Sequence, residues 1–192
     1  MKEQIQEITK KQSIINVAAT VFSEHGYKQT TVREIARRVG IEASSLYSHV
    51  RSKEDMLAEI CTSCAEKFTE GMQAINQSDL SPKKKIKALI ALHIDIAYTD
   101  AASAIVFNDE WRNLPPDIMK SFLKSRKEYE SNFKSILSQG KKDKKLNFDA
   151  LDITFQLIIN LLSWTYIGTK SFKKEQLDVH LNTFIANALK FN

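Results

Sequence analysis

A run of short polar side chains gives the clearest chemical signal in this sequence of 192 residues. Its members are Ser44, Ser45, Tyr47, Ser48 and His49. Hydroxyl, phenol and imidazole groups donate and accept hydrogen bonds at short reach, as contacts to phosphate oxygens and base edges require. No nucleophile with a matching base, glycine-rich phosphate loop or metal-ligand set accompanies them. The run therefore predicts a nucleic-acid contact and argues against an enzyme.

The polar run lies on the second of two short predicted helices. Thr31 and Glu34 fit a capping box, in which the hydroxyl accepts a free amide at the helix start, and they predict a first helix over 32–39. Gly40 then suits a tight turn, and the second helix is predicted over 43–49. Two short helices joined in this way can place the second in the major groove of DNA. A DNA-binding protein is therefore the favoured interpretation.

A third helix completes this small domain. Thr9 with Gln12 marks its start, and an apolar period near 3.6 residues continues over 10–25 until Gly26. The predicted core of the three helices consists of Ile14, Ile15, Ala18, Val21, Phe22, Ile35, Val39, Leu46 and Val50. Ser52 with Asp55 caps the next helix. The predicted DNA-binding domain therefore spans 1–52 and the second domain spans 53–192.

The second domain is also predicted to be helical. Ser81-Pro82 marks one helix start, and Leu114-Pro115-Pro116 separates two helices. Helices are predicted over 53–76, 82–98, 101–112, 117–138, 148–168 and 174–190, with a basic loop over 139–146. The helix over 148–168 is apolar nearly all round, which predicts burial on several sides. No strand pattern is found, so the predicted fold class is all-α with about nine helices.

Composition narrows the function classes further. The formal charge is +5 and the pI about 9.1, but residues 1–60 carry nine Lys or Arg against eight Asp or Glu. The case for DNA binding therefore rests on the placement of residues and not on bulk charge. The N-terminus is polar, and the longest apolar run, 157–168, is too short to span a membrane. We expect a soluble cytoplasmic protein without membrane contact or cofactor.

Cys61 and Cys64 have a spacing found in metal and redox sites. A structural zinc site needs four ligands, and the sequence has no second cysteine pair. Both residues lie on the apolar stripe of the helix predicted over 53–76, where cysteine acts as a small hydrophobe. We therefore expect core packing and no metal site, with thiol sensing as the alternative.

The order and spacing of residues over 10–60 resemble the tetracycline-repressor-like (TetR) family. The matching residues are Ala18, Ala19, Val21, Phe22, His25, Gly26, Tyr27, Thr30 to Ala36, Val39, Gly40, Ile41, Leu46 to Val50 and Ser52 to Glu54. Glu42 stands where the family usually has a serine N-cap, and Val50 stands where phenylalanine is usual. The resemblance implies an all-helical homodimer with an N-terminal helix-turn-helix and a C-terminal effector domain.

Two sets of side chains are expected to contact a double-stranded DNA operator. The expected phosphate contacts are Thr31 and, through the family resemblance, Tyr47, His49 and Lys53. The expected base contacts are Arg33, Ser44, Ser45 and Ser48. Thr31 suits a phosphate because it lies at a helix N-terminus, and Arg33 can bond a guanine through two N–H groups. Arg33 and Ser48 have the alternative interpretation of solvated surface residues.

The resemblance also implies a small-molecule pocket and a homodimer formed by the last two predicted helices, 148–168 and 174–190. The candidate pocket residues are His93, Phe107, Trp111, Phe122, Arg126, Tyr129 and Trp164. For His93 we favour a hydrogen-bonded place in the core over ligand binding. The aromatic residues have helical spacing, which is equally typical of plain core packing.

Arg126 lies within an apolar stripe of its predicted helix, where a cation needs a partner or must reach solvent. It could clamp an anionic ligand, but we favour an ion pair with Glu110 or Asp109. Residues 111–114 and 160–166 resemble the subset of the family that senses acyl-CoA thioesters.

These observations predict a ligand-responsive regulator. The favoured form is a dimeric repressor that binds a palindromic operator and is released by a small hydrophobic effector, with an acyl-CoA as one candidate. The alternative is a DNA-binding protein of the same fold that is controlled by a protein partner or has no small-molecule effector.

Overall fold

The computed structural model describes residues 2–191, with side chains from residue 10 onward. The helices are α1 (Lys2–His25), α2 (Val32–Val39), α3 (Ala43–Leu46), α4 (Lys53–Gln77), α5 (Pro82–Thr99), α6 (Ala101–Asp109), α7 (Pro116–Lys142), α8 (Leu151–Ser163), α9 (Thr165–Gly168) and α10 (Lys174–Ala188). A 3₁₀ turn spans Trp111–Asn113. Residues 2–191 contain no strand, so the predicted all-α class is confirmed. The helix predicted over 148–168 is divided at Trp164 into α8 and α9.

Local capping residues set several helix starts as predicted. The Thr31 hydroxyl accepts the amide of Glu34 at 3.2 Å, at the start of α2. The Ser52 hydroxyl accepts the amide of Asp55 at 3.0 Å, at the start of α4. Each bond satisfies an amide that has no partner within its helix. A residue next to each helix start in the sequence therefore stabilises its first turn.

Several predicted helix limits are wrong, namely the starts of α1 and α8 and the ends of α3, α6 and α7. α1 begins at Lys2 and not at residue 10, because Lys, Glu and Gln in the first residues are good helix formers; the side chain of Thr9, its predicted cap, lies outside the described side chains. α3 ends at Leu46, because the following amides bond three residues back and tighten the chain into a turn. α7 continues to Lys142, so the basic segment over 139–146 is partly helical.

The chain forms two compact units. The first comprises Met1–Ala65 and Ala102–Phe122, and the second comprises Glu66–Ala101 and Leu123–Asn192. The first unit extends past residue 52 because the start of α4, α6 and the start of α7 share its core. The predicted boundary at residue 52, between the DNA-binding domain and the effector domain, stays a prediction.

The core of the first unit contains every apolar residue predicted for the three-helix domain. Ile14, Ile15, Ala18, Val21, Phe22, Ile35, Leu46 and Val50 are buried, and Val39 is partly buried against them. Val106, Leu114 and Phe122 join the same cluster from later in the chain. Burial of this apolar surface is the main term that holds α2 and α3 in place.

The second unit has a separate core. Its members include Met72, Ile86, Leu89, Ile90, Ile94, Phe133, Leu137, Phe155, Leu162, Leu181 and Ile185. The prediction that the helix over 148–168 is buried on several sides is wrong for this single chain, since Ile153 is 63% exposed and Leu157 is 67% exposed. One side of α8 packs inward and another presents large apolar side chains.

Within residues 2–191, no single helix is both long enough and apolar enough to cross a membrane. The successive helices α5 and α6 reach the required length and composition only when they are counted together. Each of the two helices contributes buried residues to the core of its own unit, Leu89 from α5 and Val106 from α6.

Candidate nucleic-acid interface

The turn between α2 and α3 depends on Gly40. Its φ is +79°, in the left-handed region that glycine enters without side-chain strain. The amide of Gly40 donates to the carbonyl of Arg37 at 3.2 Å, and the amide of Ile41 donates to the carbonyl of Ala36 at 3.0 Å. These bonds satisfy the last carbonyls of α2 and fix the direction in which the chain leaves it.

In α3 and the turn that follows it, one buried apolar residue has exposed polar residues on both sides of it in the sequence. Leu46 is fully buried in the core of the first unit. Tyr47 is 54% exposed, and Ser44, Ser45 and Ser48 are also exposed. The structure therefore brings four of the predicted DNA contacts together on one accessible surface, as docking in a groove requires.

The last two residues of the polar run differ in their hydrogen bonding. The Ser48 hydroxyl donates to the carbonyl of Ser45 at 2.7 Å, so its oxygen is left to accept. His49 is half-buried, and its Nδ1 is enclosed without a hydrogen-bond partner among the described side chains. An enclosed polar atom without a partner is costly. The role of His49 as a phosphate contact stays a prediction.

The start of α2 faces solvent, and its end is tied to α1. Thr31 and Arg33 are exposed, next to the free amides of the first turn. Arg38 instead forms an ion pair with Glu24 at 2.6 Å, and its guanidinium lies 3.1 Å from Nε2 of His25. Of these two arginines, Arg33 is the one placed to contact a ligand at the helix start.

Lys53 is bound to the turn that precedes α2. Its Nζ donates to the carbonyls of Tyr27 at 2.9 Å and Thr30 at 3.0 Å. The same ammonium lies 4.3 Å from the centre of the Tyr27 ring. A lysine ammonium has three donors, so one remains for another acceptor. Lys53 therefore stabilises the turn that leads into α2. Its contact to a phosphate, which would use the third donor, stays a prediction.

Tyr27 is the centre of this turn, which runs over residues 26–31. Its phenol donates to Oε1 of Glu54 at 3.2 Å, and its backbone amide donates to Oε1 of Glu110 at 3.1 Å. Burial and then the negative charge of Glu54 raise the pKa of the Tyr27 phenol. A hydrogen bond from its own backbone amide lowers the pKa of Glu54. At neutral pH the phenol is therefore a stable donor and Glu54 a charged acceptor.

The sequence did not reveal that Glu110 and Glu54 position this turn. Glu110 is 83 residues from Tyr27 along the chain, and its Oε2 also accepts from Nδ2 of Asn113 at 2.8 Å. From sequence, Glu110 is suggested only as a partner for Arg126. No local pattern connects residues so far apart, whereas Glu54 follows Lys53 directly and its place at a helix start was visible.

Two family models together match well over half of this chain. Residues 14–60 match the model for bacterial regulatory proteins of the tetR family, and residues 79–167 match the model for the tetracyclin repressor-like C-terminal domain. The chain belongs to the TetR family. The first match contains α2, the Gly40 turn and α3, which form the helix-turn-helix.

Curated relatives of this TetR-family chain are transcriptional regulators. The HTH-type transcriptional repressor KstR2 of Mycolicibacterium smegmatis is 29% identical over 88% of this chain and 82% of its own length. The fatty acid metabolism regulator protein of Bacillus subtilis is 27% identical over 70% of each chain. Together with the family models, these relatives show that the chain is a DNA-binding transcriptional regulator.

Solved structures confirm the TetR fold. KstR2 of Mycobacterium tuberculosis matches with a TM-score of 0.82 at 22% identity, covering 94% of this chain and 93% of that chain. AibR, whose crystal structure contains isovaleryl coenzyme A and operator DNA, matches with a TM-score of 0.80 at 18% identity, covering 95% of this chain and 100% of that chain. At these identities the likeness concerns the fold alone.

Two residues predicted to bind an effector meet in the second unit. Nε2 of His93 lies 2.9 Å from the phenol oxygen of Tyr129, and the ring of Phe68 packs 4.8 Å from the imidazole. Burial lowers the pKa of His93 to about 3 and raises the pKa of the Tyr129 phenol. The pair is therefore neutral over the physiological range, as expected of a hydrogen-bonded core histidine.

Three other predicted effector residues form an aromatic cluster in the first unit. Phe122 packs against Phe107 at 5.4 Å edge-on and against Trp111 at 5.8 Å nearly parallel, measured between ring centres. The guanidinium of Arg112 lies 4.4 Å from the centre of Trp111. These contacts fit aromatic core packing, and a role for the cluster in ligand binding stays a prediction.

The last two candidates, Arg126 and Trp164, lie at the surface of the second unit. Arg126 is exposed, which agrees with the expectation that a cation on this stripe reaches solvent or finds a partner. Its ion pair with Glu110 or Asp109 stays a prediction. Arg126 follows Phe122 by one helical turn on α7, so the length of its side chain, and not a different helix face, carries its charge to solvent. Trp164 is also exposed, with its ring 6.1 Å from that of Phe172.

Cys61 and Cys64 are buried free cysteines in α4, which agrees with the expected core packing. Burial and then the charge of Glu110 raise the pKa of Cys61 to about 12. A thiol with so high a pKa forms little of the reactive thiolate at neutral pH. Among the side chains that the structure describes, no group of three or more His, Cys, Asp or Glu could hold a metal ion.

Proposed function

We propose that this TetR-family regulator is a ligand-gated repressor that binds a palindromic operator as a homodimer. The observation that carries the proposal is the surface of exposed polar residues around the buried Leu46. Two copies of that surface, one from each subunit, would occupy successive major grooves about 34 Å apart. A two-fold pair of identical surfaces requires an operator with two-fold sequence symmetry.

Each contact residue has a proposed role. The phosphate contacts are Thr31, Tyr47, His49 and the third donor of Lys53. The base contacts are Arg33, Ser44, Ser45 and Ser48. The exposure of Thr31, Arg33, Tyr47 and the serines supports these roles. Phosphate contacts fix the position of the subunit on DNA, and base contacts select the sequence.

The proposed dimer is supported by apolar side chains that are exposed in the second unit. Those that lie between the start of α8 and the end of α10 are Ile153, Leu157, Trp164, Ile167, Phe172, Val179 and Phe184. Large apolar residues left exposed in one region are typical of a contact surface. Pairing of α8, α9 and α10 with the same helices of a second copy would remove these side chains from water.

The proposed effector is a small hydrophobic molecule, with an acyl-CoA thioester as the first candidate. Support comes from the resemblance of residues 111–114 and 160–166 to acyl-CoA sensors. Further support comes from isovaleryl coenzyme A in the crystal structure of AibR and from the named role of the Bacillus subtilis relative in fatty acid metabolism. The candidate contacts are His93, Phe107, Trp111, Phe122, Arg126, Tyr129 and Trp164.

Gating requires an effector that binds two conformations of the regulator with different affinity. α4 is proposed to carry the change, because its first turns belong to the first unit and its later turns to the second. Lys53 and Glu54 at the start of α4 both bind Tyr27. A shift of α4 would therefore pull on the turn that positions α2.

A second candidate function is a DNA-binding protein of this fold without a small-molecule effector. The mutual hydrogen bond of His93 and Tyr129, packed by Phe68, favours it. In this arrangement the two most deeply placed polar candidates satisfy each other and need no ligand. A protein partner, or no partner other than DNA, would then control the regulator.

The test begins with fragments of the source genome that the purified protein retains, which are sequenced to find the operator. A mobility shift on that operator is then repeated with a series of acyl-CoA esters of increasing chain length. Release by one range of chain lengths supports the ligand-gated repressor. Specific binding that no ester changes supports the second candidate, and retention of no preferred fragment contradicts both.

A further inference from the structure

Lysines are concentrated at one end of the second unit. The segments 78–87, 139–149 and 187–191 contain nine lysines, three aspartates and no arginine or glutamate. The lysines are Lys83, Lys84, Lys85, Lys87, Lys141, Lys142, Lys144, Lys145 and Lys190, hereafter the lysine cluster. Their segments have a formal charge of +6, whereas the whole chain has +5. The basic character of the chain is therefore located here and not at the helix-turn-helix.

Three contacts bring these segments together. A β-carbon at Gly140 would lie 3.1 Å from Cβ of Pro82, so the end of α7 touches the start of α5. The amide of Asn147 donates to the carbonyl of Leu189 at 2.8 Å, which joins the loop after α7 to the end of α10. Nζ of Lys83 lies 5.7 Å from the centre of the Phe191 ring. The lysine cluster is thus one region of the folded unit.

Most of the cluster is open to solvent. Lys84, Lys87, Lys141, Lys142, Lys144, Lys145 and Lys190 are exposed, and Lys83 and Lys85 are half-buried. Two of the ammonium groups contact backbone, Lys85 at the carbonyl of Asn76 and Lys141 at the carbonyl of Asp149. Asp143 accepts from the side chain of Gln139. The aspartates are too few to neutralise the region.

The stability of the helices does not explain this concentration of charge. Lys83, Lys84 and Lys85 occupy the first turn of α5, where no acidic residue is present. The first turn of a helix is the positive end of its dipole, which favours acidic residues and disfavours lysines. Three adjacent lysines at that position repel the helix end and one another.

Two further lysines occupy backbone positions that suit other residues. Lys144 has a φ of +55° and Lys190 a φ of +45°. Both follow helix ends, where glycine or asparagine enters the left-handed region at lower cost. Attraction to the negative end of a helix accounts for lysine charge near α7 and α10, but it does not account for lysine at a left-handed residue.

We propose that the lysine cluster is a second DNA-contacting surface, which binds the phosphate backbone of duplex DNA without sequence preference. Lysine ammonium groups act as point charges and need no fixed geometry, which suits the regular charge of a duplex. Phe148 is buried and Phe191 is half-buried beneath Lys83, so these two rings offer little surface on which unpaired bases could stack. A regulator of this family also binds duplex DNA through its helix-turn-helix, so duplex DNA is a polyanion that the protein meets in its known role.

The test measures binding to a random-sequence duplex in the full-length protein with Tyr47→Ala, so that the proposed recognition surface is already weakened. The cluster variant adds Lys84→Gln, Lys142→Gln, Lys144→Asn and Lys145→Gln. The matched control adds Lys120→Gln, Lys124→Gln, Lys127→Gln and Lys170→Gln, which are four exposed lysines from other regions. Both variants lose the same charge. Thermal unfolding verifies that both are folded.

Fluorescence anisotropy over a salt series gives the slope of log affinity against log salt. If each of the four cluster lysines contacts a phosphate, the cluster variant lowers this slope by about three to four and weakens binding more than about tenfold at low salt. The control changes both quantities much less. Equal effects of the two variants, or no effect of the cluster variant, would overturn the proposal.

Vesicles of phosphatidylcholine with phosphatidylserine provide the competing polyanion. Binding to vesicles that the cluster variant abolishes, together with unchanged duplex binding, would assign the surface to a membrane and overturn the proposal. The inference rests on the DNA binding of the family and not on the proposed effector. Because the duplex has random sequence, the result can be read even where no operator is found.

Discussion

At the scale of single residues, the helix-turn-helix separates side chains that hold the DNA backbone from those that read bases. Tyr47 is exposed beside the buried Leu46, so its removal leaves the core intact. We expect Tyr47→Ala to weaken the operator and a random duplex alike, by roughly threefold to tenfold for one lost hydrogen bond. Parallel mobility shifts on both duplexes check this. Tyr47→Phe, which removes only the hydroxyl, is the control that separates hydrogen bonding from ring packing.

Removal of Arg33, unlike removal of Tyr47, should change sequence preference and not overall DNA affinity. A guanidinium that bonds one guanine contributes about 1–3 kcal/mol of discrimination at that base pair and little elsewhere. Arg33→Ala should therefore relax the preference at one position of each half-site and leave random DNA nearly unaffected. Selection of bound sequences from a randomised operator measures this. A uniform loss on all sequences would reassign Arg33 to the phosphate backbone.

Glu110 is the residue whose role only the folded structure reveals. Glu110→Ala removes the acceptor of the Tyr27 amide, and an unpaired buried donor costs about 1–3 kcal/mol. We expect faster hydrogen exchange at the Tyr27 amide and weaker operator binding, because the turn before α2 loosens. Glu110→Gln keeps a carbonyl acceptor and should restore both. Equal loss in the Gln variant would show that the charge, and not the hydrogen bond to Tyr27, is what matters.

At the scale of helices, α8, α9 and α10 carry the proposed dimer surface. Leu157 is 67% exposed in the single chain, so Leu157→Glu should spare the fold of a subunit and place a charge in the interface of the pair. We expect the sedimentation coefficient to fall to that of a monomer at working concentrations. Operator affinity should fall with it, because two half-sites are no longer bound together.

Leu123→Glu is the matched control, since Leu123 is also exposed but lies on α7. It should leave both the assembly state and the operator affinity unchanged. Dissociation caused by Leu123→Glu and not by Leu157→Glu would move the interface to α7 and refute the proposed pairing.

Helix limits could be predicted where neighbouring residues determine them. Thr31 with Glu34, Ser52 with Asp55 and the left-handed Gly40 act within a few residues, so the sequence indicated both ends of α2 and the start of α4. The bond between Glu110 and Tyr27 could not be predicted, because it depends on packing between segments 83 residues apart. Apolar periodicity identified buried residues in the same way, but it did not reveal that Leu157 on the apolar α8 is exposed in the single chain.

At the scale of the whole molecule, His93 links stability to pH. The folded chain lowers the pKa of His93 to about 3 by burial, whereas an unfolded histidine titrates near pH 6.5. Above about pH 6.5 both states are neutral. As pH falls from there towards 3, only the unfolded state takes up the proton, so stability falls, with a limiting slope of about 1.4 kcal/mol per pH unit.

The measurement is the pH dependence of urea unfolding for the wild type and for His93→Gln. Glutamine can keep a hydrogen bond to Tyr129 but does not titrate. The wild type should lose stability more steeply than the variant between about pH 6 and pH 4, although carboxylates contribute equally to both. Parallel curves would show that His93 is protonated in the folded state.

The discontinuous first unit limits how this regulator can be recombined. The unit that contains the helix-turn-helix also includes residues 102–122, and Glu110 in that segment accepts a hydrogen bond from the Tyr27 amide. A chimera joined near residue 52 would contain the helix-turn-helix but lack residues 102–122, which complete its core. A functional chimera must include both segments. Otherwise the recipient protein must supply an acceptor for the Tyr27 amide in the place of Glu110.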